Sequence, residues 1–186
     1  HWQSQDLVFS QTCWGPLSLG LINQVDILAQ PDYTAFPGGR GPFYRSAIIA
    51  CEGKSAAVPE TASASDLSAL CHFRRFAYNH KDSLSGYIGL VEDYRDQHGR
   101  LPNVKLETGS HRASVRAIIN GEADMAAIDC RSWALAQTYE AEADKLTVVG
   151  WTQERLGLPF ISSKKTDTSL KCALRSALLE LGCYHH

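Results

Sequence analysis

The sequence predicts an α/β protein. Short apolar runs alternate along the whole chain with segments whose apolar residues recur at helical spacing, and several of the runs end in clusters of Ser, Thr, His or Asp. With 186 residues and 44% apolar content, the chain can bury a substantial core as one large domain or two small ones.

Taken in order, Asp6-Leu7-Val8-Phe9-Ser10 reads as a strand ending in the polar turn Gln11-Thr12-Cys13, followed by a helix across residues 17–22. Val25 to Ala29 is a second strand. Pro31, Pro37, Gly38, Gly39, Gly41 and Pro42 then mark a long irregular connection, where a crossover between domains would fall. Tyr44 to Ala50 resumes as a strand, and a helix cap is expected near Ser65-Asp66. Arg75 to Asn79 reads as a short buried strand, and Ile88, Leu90, Val91 and Tyr94 recur at helical spacing, so Asp82-Ser83-Leu84-Ser85-Gly86-Tyr87 falls on a helix's first turn.

Asn103 to Thr108 is a strand feeding Gly109-Ser110-His111, and Ala113, Val115, Ala117, Ile118 and Ile119 follow on a helix stopped by Asn120-Gly121. Asp124 to Asp129 is the next strand. Trp133, Leu135, Ala136 and Tyr139 mark a helix, with Trp133 and Trp151 expected in the core. Strands are expected over residues 146–151 and 158–162, before a closing helix that starts near Thr166 and buries Leu170, Ala173, Leu174, Ala177, Leu178 and Leu181. This alternation predicts a largely parallel sheet, or two of them.

Charge and cysteine usage remove several function classes. Eighteen Lys and Arg against 20 Asp and Glu are interspersed, without the basic stripe that nucleic-acid binding needs. No apolar run reaches the length of a membrane span. Cys13, Cys51, Cys71, Cys130, Cys172 and Cys183 contain no C-x-x-C pair, which argues against structural zinc and thioredoxin-like chemistry, and most are expected in the core. Cys172 and Cys183 would stand about 16 Å apart on one continuous helix, too far for a disulfide. No nucleotide-binding glycine loop is present, and no cofactor or metal is implied.

The most informative stretch is Ser83-Leu84-Ser85. The first turn of a helix has N–H groups without intrahelical partners and the positive end of the macrodipole, so it suits a small oxyanion. Serine hydroxyls add donors there, and Gly86 permits close approach to the backbone. The plainer reading is an ordinary N-cap, for which Ser is favoured. In open sheets ligands bind beyond the carboxyl ends of strands, and four polar clusters are expected at such ends: Ser10-Gln11-Thr12, Ser83-Leu84-Ser85, Ser110-His111 and Asp129.

Together, VFSQTC, GPFYRSAIIA, DSLSGY, TGSHRASVRAI…GEADMAAIDC and GWT…GLPFI resemble the phosphonate/phosphite/phosphate-binding proteins of bacterial ABC importers. The resemblance runs from about Asp6 to the closing helix. It implies an α/β, two-lobed periplasmic-binding-protein-like (type II) fold with a hinge of two crossing strands, one lobe formed by residues 1–44 with 157–186 and the other by 45–156. It further implies capture of a small phosphorus oxyanion in the cleft between lobes, delivery to an ABC permease and a periplasmic or extracytoplasmic location. Carried over residue by residue, the ligand would be held by Ser83, Leu84 and Ser85, the cleft tyrosine Tyr44, the cleft histidine His111 and the turn Ser10-Gln11-Thr12. Asp129 lies where relatives read the ligand's far end or its proton. Such relatives carry a strand, a helix and a strand before the VFSQTC-like segment, so the first lobe of this chain is expected to be incomplete.

Two other classes stay open at this point. Cys13, His111 and Asp129 supply a nucleophile, a base and an orienter on paper, as a Cys-dependent hydrolase needs. A ligand-sensing domain of a regulator can share the two-lobed fold.

Overall fold

The computed structural model describes residues 1–60, 67–97 and 100–186, so the helix cap expected near Ser65-Asp66 lies outside the described residues. The chain divides into two compact units: His1–Ala35, Gly39–Tyr44 and Arg155–His186 form the first, and Phe36–Gly38 with Arg45–Glu154 the second. In chain order the elements begin with β1 (Ser10–Gln11), α1 (Trp14–Ser18), β2 (Val25–Ala29), β3 (Gly39–Arg40), β4 (Phe43–Tyr44), β5 (Ser46–Cys51) and β6 (Arg75–Tyr78). They continue with α2 (Gly89–Asp96), β7 (Val104–Glu107), α3 (His111–Ile119), β8 (Met125–Asp129) and α4 (Cys130–Tyr139). Last come β9 (Leu146–Trp151), β10 (Arg155–Leu156), β11 (Phe160–Ser163) and α5 (Thr168–Glu180).

The first unit holds two small antiparallel sheets, ordered β1-β11-β2 and β10-β4-β3. Leu7, Leu17, Leu21, Val25 and Ile161 form one apolar cluster, and Leu28, Ala29 and Leu178 form another under α5. Three expectations are corrected here. The first strand shrinks to Ser10–Gln11, because only these residues find a ladder partner on β11; Val8 and Phe9 are exposed. The helix expected over residues 17–22 is instead α1 followed by a 3₁₀ turn at Leu21–Asn23, the two separated by Gly20 at φ 114°, which only glycine adopts cheaply. On α5 the covered face is shifted. Lys171 bonds Asp26 at 2.7 Å, Arg175 bonds the Ile27 carbonyl at 3.1 Å and Leu178 is buried, while Leu170 and Leu181 are exposed, as are Ala173 and Ala177. The polar grip on β2 sets the rotation of the helix.

The second unit is built on one five-stranded sheet, β7-β6-β8-β5-β9. Both ladders of β6, to β7 and β8, are parallel, whereas β5 runs antiparallel to β8 and β9. The sheet is therefore mixed and not largely parallel: Ser46, the first residue of β5, pairs with Asp129, the last of β8. Apolar runs specify strands but not their direction. The core beneath this sheet gathers Ile48, Phe76, Leu90, Tyr94, Met125 and Val149 among others. Trp133 and Trp151 are buried as expected, but of the six cysteines only Cys130 is fully buried, and none is in a disulfide. Among the described residues no helix is long and apolar enough to cross a membrane.

The strand directions bring one set of ends together. β6, β7 and β8 end at Tyr78, Glu107 and Asp129, and β5 starts at the same edge, where Ser46 accepts the Thr152 amide at 3.0 Å after β9. Three helix starts follow from that edge.

Candidate functional site

At the first of these starts Ser83 is the N-cap. Its Oγ accepts from the Gly86 amide at 3.1 Å, so the plainer capping reading of this serine is realised. The turn after it, Leu84–Ile88, is wound as a π-helix, with both Tyr87 and Ile88 amides donating to the Ser83 carbonyl, before α2 continues. The Leu84 and Ser85 amides lie in the first turn, where no carbonyl of the helix can accept them. Gly86 is required: a Cβ there would stand 2.0 Å from Asn79 Oδ1 and 3.1 Å from His111 Cε1.

Ser85 and His111 meet. Ser85 Oγ lies 2.9 Å from His111 Nε2 and 3.4 Å from Ser83 Oγ, and Asp129 Oδ2 lies 3.4 Å from the same His111 nitrogen. Asp129 also caps α4, its Oδ1 accepting from the Ser132 amide at 2.9 Å. With its proton on Nε2, the imidazole donates toward Ser85 Oγ and Asp129 Oδ2, leaving the Ser85 hydroxyl proton for another acceptor. Burial holds the imidazole below its ordinary pKa of 6.5, although the Asp129 carboxylate pulls it upward. The His111 side chain is 14% exposed, so it is covered but reachable.

This cluster does not have the geometry of a nucleophile, base and orienter. In that arrangement the acid holds the imidazole nitrogen opposite the one facing the nucleophile. Here Ser85 and Asp129 face the same nitrogen, and His111 Nδ1 is buried without a hydrogen-bond partner. Cys13, the other nucleophile candidate, belongs to the first unit and His111 to the second. No group of three or more His, Cys, Asp or Glu among the described residues could hold a metal ion.

Ser46 and Thr152 support the turn and Asn79 lies against it, and the sequence reading missed all three. Ser46 donates its hydroxyl to the Ser85 carbonyl at 2.9 Å, and its amide donates to Thr152 Oγ1 at 2.9 Å, which fixes the π turn against the sheet. A lone polar residue opening the apolar run Ser46–Cys51 was the available signal. Asn79 Oδ1 is buried against Gly86 without a partner.

The remaining candidates lie in the first unit. Gln11 donates to the Leu158 carbonyl at 2.8 Å, and Ser10 Oγ reaches only the Gln11 carbonyl at 3.5 Å. Thr12 is buried, with Oγ1 unpartnered. Tyr44 is buried in β4, its ring 5.7 Å from that of Tyr33. Ser83, Ser85, His111 and Asp129 thus form one cluster, with Leu84 in the same turn. Ser10, Gln11, Thr12 and Tyr44 belong to the other unit.

Residues 20–183 match the family model described as ABC transporter, phosphonate, periplasmic substrate-binding protein. The chain belongs to that family. Among solved structures, a binding protein component of an ABC phosphonate transporter from Pseudomonas aeruginosa aligns with TM-score 0.66 and 21% identity over 90% of this chain and 54% of that one. PhnD1 from Prochlorococcus marinus, solved with methylphosphonate, aligns with TM-score 0.63 and 18% identity over 95% of this chain and 63% of that one. A Xanthomonas citri protein bound to a chloride ion gives 0.64 and 12% over 92% and 62%. At these identities the likeness establishes the fold, the α/β two-lobed class of periplasmic binding proteins. The chain spans 54–63% of the length of these solved relatives. No curated protein matches it.

Proposed function

We propose that this protein is the solute-binding component of an ABC-type importer and captures a small phosphorus oxyanion, a phosphonate, phosphite or phosphate. The observation that carries this reading is the convergence at one sheet edge of the Ser85 hydroxyl, whose proton the bond from His111 leaves free to donate, with the partnerless first-turn amides of Leu84 and Ser85. Charge-assisted bonds to an oxyanion are stronger than those between neutral groups, and the dipole of the helix adds to them. Asp129, an acceptor when ionised, favours a ligand that carries a P–OH or an ammonium donor over a fully deprotonated anion such as sulfate. In the first unit, Thr12 carries a buried, unpartnered hydroxyl and is proposed as a ligand contact together with Ser10, Gln11 and Tyr44. Family membership supports a permease as the macromolecular partner and an extracytoplasmic site of action.

A thermal-shift and calorimetric panel of phosphate, phosphite, methylphosphonate, aminoethylphosphonate and sulfate tests the reading, because a ligand that binds the native state raises the midpoint by mass action. At least one phosphorus oxyanion is expected to bind, and sulfate to bind more weakly. A panel in which none raises the midpoint would sink it.

A further inference from the structure

Helix α4 has two apolar stripes. Cys130, Trp133 and Ala136 are buried, which is the single face a surface helix needs. Leu135 and Tyr139 lie on a second face with Ser132 and Ala136, at helical spacing, and are 48% and 74% exposed. This second stripe is not scattered surface: Ser132, Leu135, Ala136 and Tyr139 line one cavity of about 370 Å³, whose other wall is the start of α3, beginning with His111. The far end is formed by Glu140, whose carboxylate is gripped by Arg112 and by Arg116, the latter at 2.7 Å. Its charge is thereby compensated, so the groove does not repel an anion.

Two residues that line the groove bond the oxyanion cluster. His111 lines the groove and bonds Ser85, and Ser132 lines the groove while its amide binds Asp129. From Ser132 to Tyr139 it runs about 10 Å along α4, room for a short alkyl chain or one aromatic ring. We infer that the α3/α4 groove takes the apolar organic substituent of an oxyanion anchored at the Ser85 turn beside His111, so that the preferred ligands are organophosphonates with a hydrocarbon arm. This inference rests on the oxyanion reading above.

The probes are methylphosphonate, n-hexylphosphonate and phenylphosphonate, titrated calorimetrically into the full chain and into the variants Leu135→Lys, Tyr139→Ala and Ser85→Ala. Because each buried methylene adds favourable transfer energy, the hexyl ligand is expected to bind at least tenfold more tightly than methylphosphonate. Leu135→Lys and Tyr139→Ala should remove most of that advantage and leave methylphosphonate within about twofold. Ser85→Ala should weaken all three by a similar factor. Methyl and hexyl ligands of equal affinity, or a groove variant that weakens both alike, would overturn the groove alone. Failure of every probe to bind would overturn the oxyanion reading and the groove with it, and hexyl binding indifferent to Ser85→Ala would overturn the shared anchor. Both groove positions are exposed, so the variants are expected to fold, as the parent's thermal midpoint will check.

Discussion

Ser85 Oγ and His111 Nε2 lie 2.9 Å apart although 26 positions separate them in the chain. The bond ties the turn after β6 to the helix after β7, and the parallel pairing of these two strands puts both starts on one edge. It makes each residue's behaviour depend on the other.

Replacing Ser85 by Ala removes one donor to the oxyanion. A hydrogen bond to a charged group contributes about 1.5–3 kcal/mol, so affinity for the best ligand should fall roughly 10- to 150-fold. Calorimetry on Ser85→Ala checks this, and unchanged affinity would remove the anchor from the site.

The pH dependence of stability follows from His111. Its pKa is lowered in the folded protein, chiefly by burial, so at pH values below about 6.5 the unfolded chain takes up a proton before the folded one does. The stability associated with neutral His111 is complete above about pH 6.5 and is lost as pH falls from there toward the folded value. Urea midpoints between pH 8 and 5 should therefore decline more steeply in the parent than in His111→Gln. Superimposable profiles would show that His111 is not the group responsible.

Gly86→Ala places a Cβ 2.0 Å from Asn79 Oδ1, so Asn79 has to rotate and the turn is strained by about 1–3 kcal/mol. In an Asn79→Ala background that collision is absent, and the same substitution should cost less than half as much. Thermal denaturation of the two single variants and the double variant measures the coupling. Additive effects would mean that the turn accommodates the methyl group some other way.

Asp124 holds the entry to β6. It accepts from the Arg74 and Arg75 amides at 3.0 and 2.9 Å and from the Arg75 guanidinium at 2.6 Å. Burial would raise its pKa, but these bonds together lower it, so its contribution is present above about pH 4 and lost as pH falls through the folded value. Asp124→Ala leaves two amides and a guanidinium without this acceptor and should cost about 1–3 kcal/mol at neutral pH. Chemical denaturation at pH 7 checks it, and a variant as stable as the parent would show that solvent replaces the carboxylate.

Much of the second unit was legible in the chain. The start of the π turn that leads into α2 and the starts of α3 and α4 were readable because capping and the spacing of apolar residues act over a few positions: Ser83, Ser110 and Asp129 each accept from an amide three residues on. The family resemblance marked Ser85, His111 and Asp129 individually. Neither source revealed that Ser46 bonds the Ser85 carbonyl, nor that Asp129 and Ser85 face one imidazole nitrogen. These contacts are made between segments distant in sequence, and no short pattern encodes them.

Local order alone therefore established the α/β alternation, the polar strand ends and the amphipathic helices, because each arises from the conformational preferences of neighbouring residues. Direction and rotation came from long-range pairing. β5 lies antiparallel to β8 because Ser46 pairs with Asp129, and α5 turns its Lys171 and Leu178 face inward because Asp26 and the Ile27 carbonyl on β2 hold it there. The second apolar stripe of α4 became a groove only when α3 was packed beside it, since periodicity fixes which residues share a face but not what that face meets.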